Sequence, residues 1–244
     1  MSPSRDRSPS PHSREPLPRL RRKRRLDLPR IFGRFLDGVA EVESHVERYA
    51  ARWDEANEVA RYETGPLWVA LGDSSSQGVG ASSWENGWTH TVLERLRTTT
   101  GEPWRLVNLA MSGGRFLDVA DRQVPVLNTM LDTPQLITCV IGSNDLMWRR
   151  GSRGIVRDAN HAVDRIPSGT FVSKLNGPGP RPGLINDVFN RGAEESDHQL
   201  FNIWNWPSGR GALAADRLHP SDVGYQHMAE LAWSAVQPRV APQL

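Results

Sequence analysis

From residue 67 onward, apolar and polar positions alternate between two periods. Short, largely apolar runs at 67–71, 105–109, 136–141, 170–174 and 199–204 read as strands. Between them, residues 88–99, 116–131, 155–166, 184–191 and 220–236 read as helices, with a break or kink expected at Pro125. Largely apolar strands alternating with helices predict an α/β fold: a three-layer α/β/α sandwich around a central, mostly parallel sheet of five strands. In such sheets ligands collect beyond the C-terminal ends of the strands. Upstream, Phe32, Phe35, Val39, Val42, Val46 and Tyr49 recur at spacings of three and four, with charges between them. That stripe predicts a helix over residues 31–62 that docks on the domain. Its polar face is rich in Glu and Asp, which argues against a membrane-surface helix.

The first 30 residues break the pattern, being Ser/Pro/Arg-rich and poor in apolar side chains. They carry ten Lys/Arg and three acids, a charge of +7 within a chain total of +2, so the rest is about −5. A segment with so little apolar surface is expected to be disordered. The chain thus divides into a basic tail (1–30), a helical extension (31–64) and a main domain (65–240). The run from Arg19 to Arg25 can contact an anionic surface, though a solvated tail without a partner accounts for it equally well. Any electrostatic case for nucleic-acid binding rests on this tail alone. No apolar stretch is long enough to span a bilayer, and the N-terminus has no apolar block of the secretory type. The expectation is a cytoplasmic protein without a transmembrane segment. Cys139 is the single cysteine of the 244 residues and lies in an apolar strand, so it reads as a packed core residue. Arginine supplies 28 of the 30 basic side chains, a usage typical of a high-GC genome.

The chemistry-bearing residues cluster after the first three strands and before the last helix. They are Gly72-Asp73-Ser74, then Asn108 with Ser112-Gly113-Gly114, then Gly142-Ser143-Asn144-Asp145, and finally Asp216-Arg217-Leu218-His219. A serine hydroxyl becomes nucleophilic when a base takes its proton, and His219 can be that base. Asp216, three residues earlier on the same short turn, can hold the imidazole and stabilise its cation. Pro220 suits the first position of the closing helix. Asp73 shapes its turn by bonding to nearby backbone, Asn108 ties the first two loops together, and Asp145 braces the Asn144 loop. Ser75, Ser76, Ser112 and Ser143 read as structural. The other histidines lack such context, and no His/Cys/carboxylate spacing resembles a metal site. No Gly-x-Ser-x-Gly elbow surrounds Ser74, which argues against the ordinary α/β-hydrolase fold. No phosphate-cradling glycine motif is present.

The four blocks, in this order over roughly residues 65–237, resemble the GDSL, or SGNH, hydrolase superfamily. Its marked Ser, Gly, Asn and His fall on Ser74, Gly113, Asn144 and His219. The chain departs from the name-giving block at Ser75, where the family name has Leu. The resemblance implies an SGNH-hydrolase-like, flavodoxin-like fold and a carboxylic-ester hydrolase that works through an acyl-enzyme. It implies an oxyanion hole made by the backbone N–H groups of Ser74 and Gly113 and the Asn144 amide, with no cofactor. The implied substrate is a small-molecule, lipid or carbohydrate ester. An acyltransferase using the same residues, and a non-catalytic module recruited by the basic tail, are the competing readings. Trp148, Trp204 and Trp206 lie near strand ends, where they can stack on a sugar, pack an acyl chain or fill the core. The Gly/Pro-rich stretch 176–183 is a candidate wall for the site or a plain surface connection.

Overall fold

The computed structural model describes residues 16–21, 33–147, 151–206, 209 and 211–240. Most of the expected basic tail, Phe32 and Trp148 therefore lie outside the described residues. Five strands form one sheet: β1 (Leu67–Gly72), β2 (Arg105–Asn108), β3 (Leu136–Val140), β4 (Phe171–Ser173) and β5 (Gln199–Phe201). Every pairing is parallel and the order is β2-β1-β3-β4-β5. That order is the flavodoxin-like one, with β1 and β3 meeting where the winding reverses. Ala70 pairs with Asn108, and Gly72 with Val140, so the C-terminal ends of β1, β2 and β3 stand nearly level. The loops that carry the first three sequence blocks thus leave the sheet side by side.

The two-residue period of β1 explains the layers. All of its residues are buried. Leu67, Val69 and Leu71 face a core built with α3 (Phe116–Asp118), α4 (Val124–Leu127), α6 (Ser152–Val163) and α7 (Arg181–Ser196). Trp68 and Ala70 face the opposite core, built with α2 (Trp88–Thr100) and α8 (Asp222–Val240). Successive side chains on a strand point to opposite faces, so a wholly apolar strand needs helices on both. Cys139 is buried within β3, and burial pushes its thiol pKa up, away from thiolate chemistry.

The break expected at Pro125 is present. A π-helical turn, Val119–Gln123, separates α3 from α4. Pro125 cannot donate to a carbonyl one turn back, and the wider turn relieves the clash of its ring. A short helix, α5 (Ser143–Met147), follows β3 where the sequence pattern marks only a loop. The closing helix begins at Asp222 rather than at Pro220. Pro220 instead forms an antiparallel bridge with Leu213, and Ser221 Oγ accepts the Gly224 N–H at 3.4 Å.

Helix α1 (Gly33–Tyr62) runs along the β2 edge of the sheet. An edge strand exposes unpaired backbone groups, and α1 covers them. Asn57 Nδ2 donates to the Asn108 carbonyl at 2.9 Å, and its Oδ1 accepts the Asn108 N–H at 2.7 Å. Part of the expected tail also departs from a free coil. Leu17 and Leu20 pack against the first core, Arg21 pairs with Asp54 on α1, and Arg122 Nη2 donates to the Arg21 carbonyl at 2.9 Å. Among the described residues, no helix is long and apolar enough to cross a membrane.

Asn57→Ala leaves two buried backbone groups of Asn108 without partners. It is expected to lower folding stability by about 1–3 kcal/mol. A urea midpoint that falls with an unchanged slope would show this, and an unmoved midpoint would show that α1 does not hold the sheet edge.

Candidate active site

At the end of β1 the chain folds into consecutive tight turns. The Asp73 N–H donates to the Val140 carbonyl at 3.2 Å. Asp73 Oδ1 accepts from the Ser75 N–H at 3.0 Å and the Ser75 hydroxyl at 2.7 Å. The Ser74 carbonyl accepts from the Gln77 and Val79 N–H groups, both at 3.1 Å. Asp73 thus shapes the turn that presents Ser74. Burial pushes its carboxyl pKa up against the two bonds from Ser75. Beneath the turn, the fully buried Gln123 mimics a strand neighbour: its Oε1 accepts the Gly72 N–H and its Nε2 donates to the Gly72 carbonyl, both at 2.8 Å.

The next loop is laced to this one. Asn108 Nδ2 donates to the Ser76 carbonyl at 2.7 Å, and its Oδ1 accepts the Ala110 N–H at 3.0 Å. Gln77 Nε2 donates to the Ala110 carbonyl at 2.8 Å, and its Oε1 accepts the Ser112 hydroxyl at 2.8 Å. Asn108 therefore joins the first two loops, as its position suggested. Gly113 follows with φ of +71°, in the left-handed region that a side chain would strain. From the third loop, the buried Asn144 donates Nδ2 to the Gly114 carbonyl at 2.9 Å, and its amide carries a second N–H. Asp145 braces the third loop through a contact outside it. Its Oδ2 accepts the Phe116 N–H at 3.2 Å and so fastens the third loop to the start of α3.

The fourth element is a tight loop closed by the Leu213–Pro220 bridge. Asp216 Oδ1 accepts the Leu218 and His219 N–H groups at 2.9 and 3.0 Å. Arg217 between them adopts φ of +56°, unusual for a residue with a side chain. Asp216 Oδ2 lies 2.6 Å from His219 Nδ1, and His219 Nε2 lies 2.9 Å from Ser74 Oγ. With Nδ1–H donating to the carboxylate, Nε2 presents its lone pair to the serine hydroxyl. Burial by itself would raise the Asp216 carboxyl. Its hydrogen bonds with His219 and the two backbone N–H groups outweigh that, holding the pKa below the ordinary value and the group charged.

A cavity of about 60 Å³ opens on this pair. Ser74, Gly113, Asn144, Asp216 and His219 all line it, so the structure brings the marked residues of all four blocks together. Among the described residues, nothing accepts from the backbone N–H of Ser74 or of Gly113. Trp204 lines the cavity too, whereas Trp206 stacks near His227 at 6.1 Å. The Gly/Pro stretch does not line it. Asn176 instead donates to the Trp204 carbonyl at 3.2 Å, and α7 begins within the stretch at Arg181. His45, His90, His161, His198 and His227 do not line the cavity. Burial lowers His90 to about 4, where it lies between Trp53 and Trp84. Among the described residues, no group of three His, Cys or carboxylate side chains is placed to hold a metal ion.

Two contributions escape sequence reasoning. Gln123 and Gln77 are ordinary polar residues in a helix and a loop, and only their buried contacts reveal them. Val39, Val42, Glu43 and Val46 of α1 line the cavity from outside the four blocks. Their helical stripe is visible in sequence, but the site it faces is not.

Residues 70–227 match the model of the GDSL-like lipase/acylhydrolase family. The chain belongs to that family. Solved structures share its fold at low identity. TesA aligns with a TM-score of 0.61 at 20% identity, covering 71% of this chain and 99% of that one. The psychrotrophic esterase EstA from Pseudoalteromonas sp. gives 0.60 at 18%, covering 70% and 96%. A family 3 carbohydrate esterase from Clostridium thermocellum gives 0.55 at 18%, covering 72% and 96%. No curated protein sequence matches the chain at a significant level.

Burial drives the Asp145 carboxyl up to about 7. The unfolded value is about 4, so the fold holds this proton more tightly than the unfolded chain does. Stability from this group is full below about pH 4 and is lost as pH rises towards 7. Asp145→Asn keeps an acceptor for the Phe116 N–H and cannot ionise. Its melting temperature is expected to gain on the parent's as pH is raised from about 4 to about 8. Parallel curves would mean that Asp145 titrates as an exposed carboxyl does.

Proposed function

We propose that this member of the GDSL-like family is a serine-dependent carboxylic-ester hydrolase that works through an acyl-enzyme. The observation that carries the reading is the hydrogen-bonded chain from Asp216 through His219 to Ser74, ending at a cavity that Gly113 and Asn144 also line. Ser74 Oγ attacks the ester carbonyl carbon while His219 Nε2 takes the hydroxyl proton. The carbonyl electron pair moves onto oxygen. The free N–H groups of Ser74 and Gly113, with the second Asn144 N–H, are the donors available to that oxyanion. Collapse breaks the bond to the alcohol, which leaves with the proton from His219. Water then attacks the acyl carbon as His219 takes its proton, and collapse breaks the bond to Ser74 Oγ, which regains a hydrogen from His219 as the acid departs. Asp216 stays ionised throughout and stabilises the imidazolium, in keeping with its lowered pKa.

The same residues would serve an acyltransferase, since only the acceptor differs. The ratio of acid to ester product, measured with and without an added alcohol, separates the two. The named esters of the structural neighbours differ, and at their identities they select none for this chain.

Hydrolysis of nitrophenyl esters of graded acyl length tests the reading. Ser74→Ala is expected to abolish turnover, and a fluorophosphonate is expected to label Ser74 with loss of fluoride. Turnover that survives in Ser74→Ala on every ester would overturn the mechanism. Asn144→Ala is expected to lower kcat by about 10²–10³-fold with little change in KM. An unchanged kcat would remove Asn144 from the oxyanion site.

A further inference from the structure

Helix α1 lies wholly before the family-matched region 70–227, yet it closes one side of the cavity over Ser74. Val39, Val42 and Val46 recur at spacings of three and four and present one aliphatic face there. Val42 and Val46 are buried and also pack on Val79, just past the Ser74 turn. Met147, Trp204 and Leu218 supply further apolar lining, Glu43 adds one carboxylate on the α1 side, and Ser74, Asn144 and His219 form the polar side opposite.

The helix is anchored for this position along its length. The Tyr49 hydroxyl donates to the Ala81 carbonyl at 2.8 Å, and Trp53 Nε1 donates to the Gln77 carbonyl at 3.1 Å. Those carbonyls belong to the segment that follows Ser74. Nearer its start, α1 meets the loop that carries Asp216 and His219. A Cβ on Gly38 would stand 2.4 Å from the Ala215 carbonyl oxygen. A glycine inside a helix is less favourable than an alanine, and here it permits the helix to touch the residue before Asp216. The contact sets the distance between the valine face and the reacting atoms.

We propose that the valine face of α1 is the acyl-binding wall and limits this site to short acyl groups, from acetyl to about butyryl. The inference rests on the esterase reading above. The cavity measures about 60 Å³, well under the roughly 150 Å³ cavity that admits a benzene ring. A short acyl group fits between Val42, Val46 and Ser74 Oγ. Met147 and Leu218 line the same cavity and are 49% and 42% exposed, so they mark its mouth, where the alcohol part leaves towards solvent. The extension is thereby a specificity element of the site.

The test uses the full chain and nitrophenyl acetate, butyrate and octanoate, with Ser74→Ala as control. The parent is expected to prefer acetate and butyrate. Val42→Ala and Val46→Ala, alone and combined, are expected to raise the octanoate-to-acetate ratio of kcat/KM at least tenfold. Val42→Ile, which adds one methylene and is expected to fold, should shift the profile the other way and lower butyrate relative to acetate. An active enzyme whose chain-length profile is unmoved by all of these changes overturns the assignment while leaving the esterase reading intact. A parent that already prefers octanoate overturns it as well. Absence of Ser74-dependent turnover on every ester fells the esterase reading, and the acyl wall with it.

Discussion

The site depends on one contact between residues 145 positions apart: Ser74 Oγ and His219 Nε2, at 2.9 Å. A hydrogen bond of this kind tolerates only a few tenths of an ångström, so both ends must be held by something stiffer than themselves. The serine end is set by β1, whose level ending with β3 puts Gly72 opposite Val140. The histidine end is set by a loop with its own closure, the Leu213–Pro220 bridge, and by Asp216, which bonds both the imidazole and the turn. The two ends are then tied together directly. The Tyr225 hydroxyl donates to the Val79 carbonyl at 2.7 Å, and Asp222 accepts the Ser82 N–H at 2.8 Å. Helix α8 therefore pins the segment after the serine while it orients the loop before itself.

Much of this support is polar and buried, which is costly unless every group is paired. Gln123, Gln77, Asn57 and Asn108 meet that condition with two or more bonds each, nearly all to backbone. Side-chain amides suit the task because each carries a donor and an acceptor, as a peptide group does. They extend the logic of the sheet past the ends of its strands, where no further strand residue can pair. The loops remain irregular enough to aim side chains at a cavity, yet they are bonded as closely as a ladder.

Helix α1 shows how an added segment becomes part of a site without carrying chemistry. Its bonds to Ala81 and Gln77 run to the segment that follows Ser74, its bond to Asn108 runs to the sheet edge, and its Gly38 meets the loop that carries Asp216 and His219. One helix thus spans the elements that bring Ser74 and His219 together. A wall so anchored can be shaped by aliphatic substitutions without disturbing the hydrogen-bonded residues opposite it.

The hydrophobic periods of the chain were enough to place every strand and the main helices, because a wholly apolar strand flanked by amphipathic helices has few other ways to bury its surface. The resemblance of the four blocks to the GDSL, or SGNH, superfamily marked Ser74, Gly113, Asn144 and His219, since the order of several short blocks can be read without the fold. Sequence alone also implied that Asp216, three residues before His219, shares its turn. Tertiary structure decided the rest: that Pro220 pairs with Leu213 before α8 starts, that Asp145 holds its loop through the start of α3, and that Gln123 completes the end of β1. It also decided that the valine stripe of α1 faces the cavity and not merely the domain. The physical reason is the same in each case. Periodicity tells which face of an element is buried, but the partner of a buried group is chosen by packing between segments far apart in the chain, which no local pattern encodes.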